Sequence, residues 1–416
     1  MKRKLLRQIA NEWRINIWLA IELLLVSAVM WWLTDQLWVK YSIYNEPLGY
    51  DYSHCYRIHV STLNEKSPDF DPNVDYEAEI ADMQTMIQRL EARPEIEAVG
   101  IGTNSHFFNQ NNSNQNIHID SLGGFYLKRW VTPGFMKVFR IHGANGESPE
   151  EMAALLEKMP WNSFMATDNL FRDEEGIPTM KPYIGKIFHS GADSIEWTLT
   201  AAMTPLRYSD FSQTYKSSSV LMPLTPATFP YANETVVRVK ENMDKDFIAN
   251  IMSDALGNLR VGNFYIASVE SFDDIRDGYN LNQKQKMQQT VVWSLFLLLN
   301  IFLGVLGTFW FRTSQRTPEI ALRMANGATR GDIMRRILAE GLLILIAVTP
   351  ISAAICLFMA HSEFNSSYMG LYLEPVRFVG CTLITFGLVA LMILIGSWLP
   401  ARKAMSISPA EALKTE

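Results

Sequence analysis

The 416-residue sequence predicts an α-helical membrane protein with four transmembrane helices and a large mixed α+β extracytoplasmic domain of two lobes. Three observations support this fold class. Four apolar stretches are present, and basic residues are concentrated in the segments beside them. The long segment between the first two stretches, residues 34–289, mixes helical and alternating hydrophobic patterns, which indicates a folded domain of both helices and strands.

The four apolar stretches lie at residues 15–33, 290–311, 338–359 and 378–399. Each contains about 20 residues, and a helix of that length rises about 30 Å, which matches the hydrocarbon thickness of a bilayer. Each stretch is therefore predicted to cross the membrane. Residues 360–377, between the last two stretches, are predicted to form a short outer loop.

Basic residues set the predicted orientation of these helices. Residues 1–14, 312–337 and 400–416 together contain 14 basic and five acidic side chains, so the positive-inside rule places these segments and both termini in the cytoplasm. Residues 1–14 also carry apolar side chains at helical spacing, which predicts an amphipathic helix on the lipid surface. The outer residues 35–286 contain 34 acidic and 22 basic side chains, a net charge of −12 that argues against nucleic acid as a partner.

The outer segment predicts helices and strands in alternation. Apolar residues at helical spacing predict helices over residues 75–90, 149–159 and 244–256, and alternating patterns predict strands at 56–60, 117–119 and 234–239. The Asn-rich residues 104–116 are predicted to be a polar loop. Residues 273–289 are predicted to form a polar helix that continues into the second membrane span.

The loop between spans two and three contains RTPEIALRMANGATRGDI, residues 316–333, which predicts a capped surface helix. Pro318 suits a first helical turn, Glu319 complements the positive end of the helix dipole, and Gly327 can end the helix in a left-handed conformation. Three apolar side chains are expected to be exposed on it: Ile320, Leu322 and Met324. Exposed apolar groups among arginines favour a docking site for a partner protein over an ordinary solvated loop.

Two acidic residues fall at membrane depth: Glu22 in span one and Glu340 near the inner end of span three. An ionised carboxylate in lipid needs a partner, so each is either part of a proton relay or bonded to a neighbouring helix, and the second interpretation is favoured. The seven histidines show no close metal-ligand spacing, and no GxSxG pattern occurs. The sequence therefore predicts neither a catalytic residue nor a metal site.

Residues 316–344 resemble the signature of FtsX-like permease domains, with six residues in matching places: Glu319, Arg323, Gly327, Ala328, Ile333 and Glu340. The tail, residues 400–416, is similar to the C-terminal ending of that family. Residues 130–147, 182–211 and 218–224 resemble the periplasmic core of MacB-type transporters, although TAAMT at 200–204 replaces a Gly-containing strand typical there. The resemblance extends over nearly the whole chain.

This resemblance implies a Type VII ABC transporter permease in the bacterial inner membrane, with residues 34–289 in the periplasm. It implies a homodimer or heterodimer, a cytoplasmic ATPase that binds ATP and Mg²⁺, and a periplasmic adaptor with an outer-membrane protein as further partners. The sequence has no GxxxxGK(S/T) phosphate loop, so the ATPase is expected to be a separate chain. The residues expected to couple to it are Arg316, Pro318, Glu319, Arg323, Gly327, Ala328 and Ile333.

Three functions fit this resemblance. The first is ATP-driven efflux of a toxic compound or peptide, in which motion of the periplasmic domain drives the export. The second is lipoprotein release of the LolC and LolE kind, and the third is regulation of cell-wall hydrolases of the FtsX kind. The large MacB-like outer domain favours the first over the third.

Overall fold

The computed structural model describes residues 13–109, 113–172, 177–190, 195–232 and 234–405. The predicted amphipathic helix over 1–14 lies almost wholly outside these residues, as does the tail beyond residue 405. The chain forms two compact units, one from Ile43 to Lys284 and one from the segments before and after it. The described α-helices are α1 (Trp13–Asn45), α2 (Tyr76–Glu91), α3 (Pro133–Val138), α4 (Pro149–Glu157), α5 (Phe247–Asp254), α6 (Phe272–Gln315), α7 (Thr317–Ala325), α8 (Arg330–His361) and α9 (Pro375–Ala404).

The membrane unit is built from helices α1, α6, α8 and α9, which are long and apolar enough to cross a membrane. Their buried contacts are aliphatic and aromatic, with Leu23, Val305, Ile344 and Ile393 at the centre. Helix α6 runs without a break from Phe272 to Gln315, so the predicted polar helix and the second span are one element. The four-span part of the predicted fold class is therefore confirmed.

The outer unit contains one mixed sheet of ten described strands in the order β10-β1-β9-β2-β4-β3-β6-β7-β5-β8. Strand β8 also pairs with β4, so the six strands from β3 to β8 close into a ring, while β10, β1, β9 and β2 extend from it as an open sheet. The strands are β1 (Cys55–Thr62), β2 (Ile96–Thr103), β3 (Ser113–Ile119), β4 (Leu122–Val131), β5 (Ser163–Thr167), β6 (Ile187–His189), β7 (Glu196–Met203), β8 (Ser219–Pro223), β9 (Glu234–Val239) and β10 (Phe264–Ser271).

Each half of this sheet has its own core. Phe164, Phe188 and Val220 are buried inside the ring, whereas Ile58 and Val237 are buried on the open sheet, against helix α5. The mixed α+β class is confirmed, and the two halves share strand β4 within one compact unit.

The predicted Asn-rich loop is wrong over its last residues, because 113–116 belong to strand β3. Ser113 pairs with Lys128 and Gln115 with Tyr126, so the partner strand satisfies the backbone of this polar segment. The side chain of Gln115 is buried and forms hydrogen bonds with Ser190 at 3.1 Å and Lys128 at 3.1 Å. Gln115 can therefore be buried in this strand because both ends of its amide group have a partner.

The loop of residues 205–214, here called the clamp loop, binds the outer end of α1 through Arg207. The Arg207 side chain is fully buried and donates to four backbone carbonyl oxygens. Two of them belong to Ile43, at 2.7 Å, and Glu46, at the end of α1, and two belong to Asp210, at 2.6 Å, and Ser212, at 2.8 Å. A buried guanidinium group with this many acceptors fixes the loop to the helix end.

The clamp loop also binds the beginning of α6, through Asp210. Its carboxylate is buried and accepts two hydrogen bonds from Arg276, at 2.8 and 3.1 Å, and one from Asn280 at 2.5 Å. Bidentate pairing of this kind is both strong and geometrically specific. One ten-residue loop therefore holds the outer ends of the two helices that continue into the membrane unit.

A second buried polar cluster surrounds Glu234 at the start of β9. Its carboxylate accepts from the backbone of Ser105 at 2.6 Å and His106 at 2.9 Å, and from the Asn109 amide at 2.6 Å. His106 Nδ1 lies 2.7 Å from the carbonyl oxygen of Phe107, which can only accept, so Nδ1 carries the proton. Burial lowers the pKa of His106, with the nearby Glu234 carboxylate acting in the opposite direction.

The depressed pKa of His106 predicts a loss of stability in acid. In the unfolded chain His106 takes up a proton near pH 6.5, whereas the folded protein keeps it neutral to lower pH. Below about pH 6.5, and down to the folded-state pKa, the free energy of unfolding should fall by up to about 1.4 kcal/mol per pH unit from this group. Unfolding of His106→Gln, measured beside the unmutated protein from pH 7.5 to 5, should show a shallower slope. Parallel slopes would contradict the assignment.

Candidate functional site

The predicted capped helix between spans two and three is α7, which is Thr317–Ala325 with Arg316 as its N-cap. Pro318 lies in the first turn, as the sequence predicts. The helix ends at Gly327, whose φ of +90° is in the left-handed region. The Gly327 N–H donates to Met324 O and the Ala328 N–H to Arg323 O, both at 3.0 Å, which is the Schellman arrangement that ends helices at glycine.

Helix α8 begins directly afterwards, with a cap that the sequence analysis missed. Thr329 Oγ1 accepts from the Asp332 N–H at 3.2 Å, and the Asp332 carboxylate accepts in return from the Thr329 N–H at 3.3 Å. This is a capping box, and the spacing of a threonine three residues before an acidic residue is the signal that predicts it. The two caps fix a sharp turn between α7 and α8.

One face of α7 is buried, which corrects the expectation for Ile320. Ile320 is only 5% exposed and packs with Ile333 of α8 and with Ala401 and Met405 at the end of α9. Met324 is half-buried against the same cluster. The expectation that Ile320 is exposed is therefore wrong, because neighbouring helices supply a core that local sequence does not show.

The opposite face of α7 is exposed, and it is here called the outer face. It consists of Pro318, Leu322, Ala325 and Asn326, which are spaced by four, three and one residues and so lie on one side of the helix. Leu322 is 54% exposed, as the sequence predicts. Of the seven predicted coupling residues, Pro318 lies on this face and Gly327 just beyond it.

The other predicted coupling residues face inward or pack below the helix. Arg316, Glu319, Arg323 and Ile333 line a small cavity between α7 and α8, together with Glu340. Ala328 packs, half-buried, beside the cluster around Ile320. The structure therefore brings most of the predicted residues together around this cavity.

Glu340 has two arginine partners. Its Oε1 lies 3.0 Å from Arg312 Nη2, at the end of α6, and its Oε2 lies 2.7 Å from Arg316 Nη1, at the start of α7. The side chain of Glu340 is 10% exposed, and that of Arg312 is 11% exposed. Glu319 forms a separate pair with Arg323 one turn along α7. Glu340 is therefore bonded to neighbouring helices, which is the favoured interpretation from the sequence.

Glu22 in α1 also has a partner on a neighbouring helix. The Thr308 hydroxyl of α6 donates to Glu22 Oε2 at 2.9 Å. Gly304, one turn before Thr308, lies close to the other carboxylate oxygen, since a Cβ built there would be 3.6 Å from Glu22 Oε1. A hydrogen bond between helices lowers the cost of placing a carboxyl group at membrane depth.

A further ionic contact in the membrane unit was not predicted. Asp35 of α1 and Arg377 of α9 are both buried, with Arg377 Nε 3.1 Å from Asp35 Oδ1. Asn365, in the segment between α8 and α9, donates to Asp35 Oδ2 at 3.2 Å. Each charge lies just beyond an apolar stretch in the sequence, which is the signal that could have paired them.

Comparison with known proteins identifies the membrane unit. The family described as "FtsX-like permease C-terminal" matches residues 291–409, which include α7, both caps and Glu340. The C-terminal part of this chain is therefore similar to FtsX-like permease domains. Since that family was expected from the motif at 316–344, the predicted resemblance is confirmed.

Several curated relatives carry the same name. The chain is 28% identical over 219 residues to the macrolide export ATP-binding/permease protein MacB of Chlorobium luteolum, which is 47% of this chain and 30% of that protein. It is 36% identical over 115 residues to MacB of Bdellovibrio bacteriovorus, covering 27% of this chain and 17% of that protein. The chain thus spans less than a third of the length of these relatives. Together with the FtsX-like permease domain, these matches fit an ABC transporter permease of the MacB type.

A solved structure is also similar in part. The extracellular domain of the noncanonic ABC-type transporter YknZ from Gram-positive bacteria aligns with 51% of this chain and 100% of its own, at 10% sequence identity and a TM-score of 0.30.

The pairing of Glu340 with two arginines predicts a large loss of stability when the carboxylate is removed. Glu340→Gln should lower the free energy of unfolding by about 3 kcal/mol, because two mostly buried guanidinium groups would lose their anion. Glu319→Gln is the matched control, since the Glu319 and Arg323 side chains are 39% and 33% exposed and such pairs contribute about 0–1 kcal/mol. Unfolding in detergent measures both. Equal losses of stability in the two variants would show that the ion pairs of Glu340 do not stabilise the segment around α7.

Proposed function

We propose that this chain is the permease subunit of an ABC transporter and that the outer face of α7 docks a separate cytoplasmic ATPase. The FtsX-like permease domain supports the transporter class, and the exposed Leu322 on a firmly held helix is the observation that carries the docking surface. ATP and Mg²⁺ then bind to the partner chain. The basic segments on either side of α7 support its placement in the cytoplasm.

The packing of α7 explains why the outer face suits a partner. Its buried side is fixed by Ile320 and by the ion pair from Arg316 to Glu340, so the helix presents its other side in a defined position. A preorganised helix loses little conformational freedom when a groove closes over it. Leu322 supplies the apolar group, and Asn326 ends the face with a polar one.

The docking proposal predicts a selective effect of one substitution. Leu322→Asp should weaken binding of the ATPase by about tenfold or more, because an apolar interface side chain is replaced by a charge, while the permease still folds. Leu281→Asp is the matched control, since Leu281 is 53% exposed on α6 and Leu322 is 54% exposed. Co-purification and binding titration with the ATPase, combined with thermal unfolding, measure the result. Unchanged ATPase binding by Leu322→Asp would remove the outer face from the interface.

We further propose that the transporter works by mechanotransmission and exports a toxic compound or peptide from the periplasm. Two observations support this mechanism. Helices α1 and α6 each continue from the membrane unit into the outer unit, and the clamp loop binds both of them there through Arg207 and Asp210. A change of tilt in either helix would then reach the ring of strands through buried, charge-assisted hydrogen bonds rather than through a flexible linker.

The contacts of the clamp loop predict that motion of the outer unit can be lost while the ATPase still binds. Asp210→Asn removes the charge that pairs with Arg276, so α6 should move without the ring of strands. Spin labels at position 196, exposed on strand β7 of the ring, should report a distance change between two permease copies on addition of ATP and vanadate. That change should be absent in Asp210→Asn and present in the control Asp277→Asn, whose carboxylate pairs with Lys284 at the surface.

The outcomes separate the two parts of this proposal. If the distance changes in Asp210→Asn as in the unmutated complex, the clamp loop does not carry the motion. If it never changes in the unmutated complex, mechanotransmission is the wrong mechanism, and the docking surface on α7 is unaffected by that result.

A further inference from the structure

The cavity beside α7 has an unbalanced charge. Its volume is about 40 Å³, and its charged lining consists of Arg312, Arg316, Arg323, Arg336, Glu319 and Glu340. Four guanidinium groups against two carboxylates leave a net charge of 4 − 2 = +2. Both carboxylates are already engaged, since Glu340 pairs with Arg312 and Arg316 and Glu319 pairs with Arg323. The two carboxylates can nevertheless neutralise only two of the four charges.

The cavity is partly shielded from water, and the excess of positive charge in it is therefore energetically unfavourable. The Arg312 and Glu340 side chains at its base are 11% and 10% exposed, whereas Arg323 and Glu319 are 33% and 39% exposed. Positive charge in such a site is stabilised by an anion that brings its own acceptor atoms. A guanidinium group also offers up to five N–H donors, so an arginine that meets one carboxylate can still bind another oxygen ligand.

Most of the remaining lining of the cavity is apolar. Phe309 of α6, Ile320 of α7 and Ile333 of α8 lie between the charged groups, so the site suits a ligand with an anionic group joined to an apolar part. Phe309 belongs to the predicted span 290–311 and Arg312 is the first residue after it, which places the cavity at the level of the lipid headgroups in the cytoplasmic leaflet. The cavity can hold more than one water molecule, since one needs about 10–15 Å³.

We propose that this cavity binds the phosphodiester headgroup of an anionic phospholipid. Arginine is well suited to phosphate because its planar fork donates two parallel hydrogen bonds, and basic pockets between membrane helices on the cytoplasmic side bind anionic headgroups. The bound headgroup connects α6, α7 and α8 and holds α7 in place. An acidic side chain of the ATPase would be an alternative anion, but the outer face is on the opposite side of α7 from the cavity. The inference depends on the predicted orientation in the membrane and does not require the docking proposal.

The test uses the full-length permease without its ATPase, in nanodiscs of phosphatidylcholine alone or with about one third phosphatidylglycerol. The measured quantity is the difference in unfolding midpoint between the two lipid compositions, so any general loss of stability in a variant cancels. In the unmutated protein, phosphatidylglycerol should raise the midpoint by about 3 °C or more. Arg336→Gln should lose most of this rise. Arg335→Gln is the matched control and should keep it, because Arg335 is the adjacent residue but is exposed and does not line the cavity.

Three results would overturn the proposal. A midpoint that is the same in both lipid compositions would show that no such site exists. An equal loss in Arg335→Gln and Arg336→Gln would assign the effect to general surface charge. A rise of the same size with inorganic phosphate in phosphatidylcholine nanodiscs, at matched ionic strength, would assign the cavity to a free anion. An adventitious response to ionic strength alone is excluded by a chloride control.

Discussion

The paired arginines around Glu340 are the interaction on which the inner end of the membrane unit depends. One carboxylate meets the end of α6 through Arg312 and the start of α7 through Arg316, while it belongs itself to α8. Its removal would leave like charges facing one another at the base of the cavity. The sharp turn made by Gly327 and the Thr329 capping box then has a defined direction, because both sides of the turn are anchored. The orientation of α7, and hence of Leu322, follows from this arrangement.

The outer unit uses the same chemistry at its connection to the helices. Arg207 satisfies backbone carbonyl oxygens at the end of α1, and Asp210 satisfies the side chains of Arg276 and Asn280 at the start of α6. Both side chains are buried, and each would carry a desolvation cost if its partners moved away. A hydrophobic contact could slide by a few ångströms at little cost, whereas these contacts are lost abruptly. Contacts of this kind therefore hold the clamp loop in a defined position against both helix ends.

The sequence predicts features whose cause is local, and it fails where the partner is distant. Pro318 and Gly327 are correctly placed because a helix start and a left-handed end depend on adjacent residues. Ile320 was expected to be exposed because its covering groups, Ala401 and Met405, are about 80 residues away in the chain. The partners of Arg207 at the end of α1 are 164 and 161 residues away, and no spacing rule connects them. The fold class could therefore be predicted from the hydrophobic pattern of the sequence, whereas the contacts of the clamp loop could not.

The face of α7 on which a residue lies also determines whether its substitution can test the binding of a partner. Glu319 looks like a docking residue in the sequence, because it is charged and begins a surface helix, but the structure places it against Arg323 on the cavity side. A lysine there would add a fifth positive charge beside four arginines, so the segment would be destabilised whether or not an ATPase binds nearby. Loss of coupling in such a variant would carry no information about the interface. Only changes on the outer face, where side chains contact solvent in the free permease, separate docking from the integrity of the segment itself.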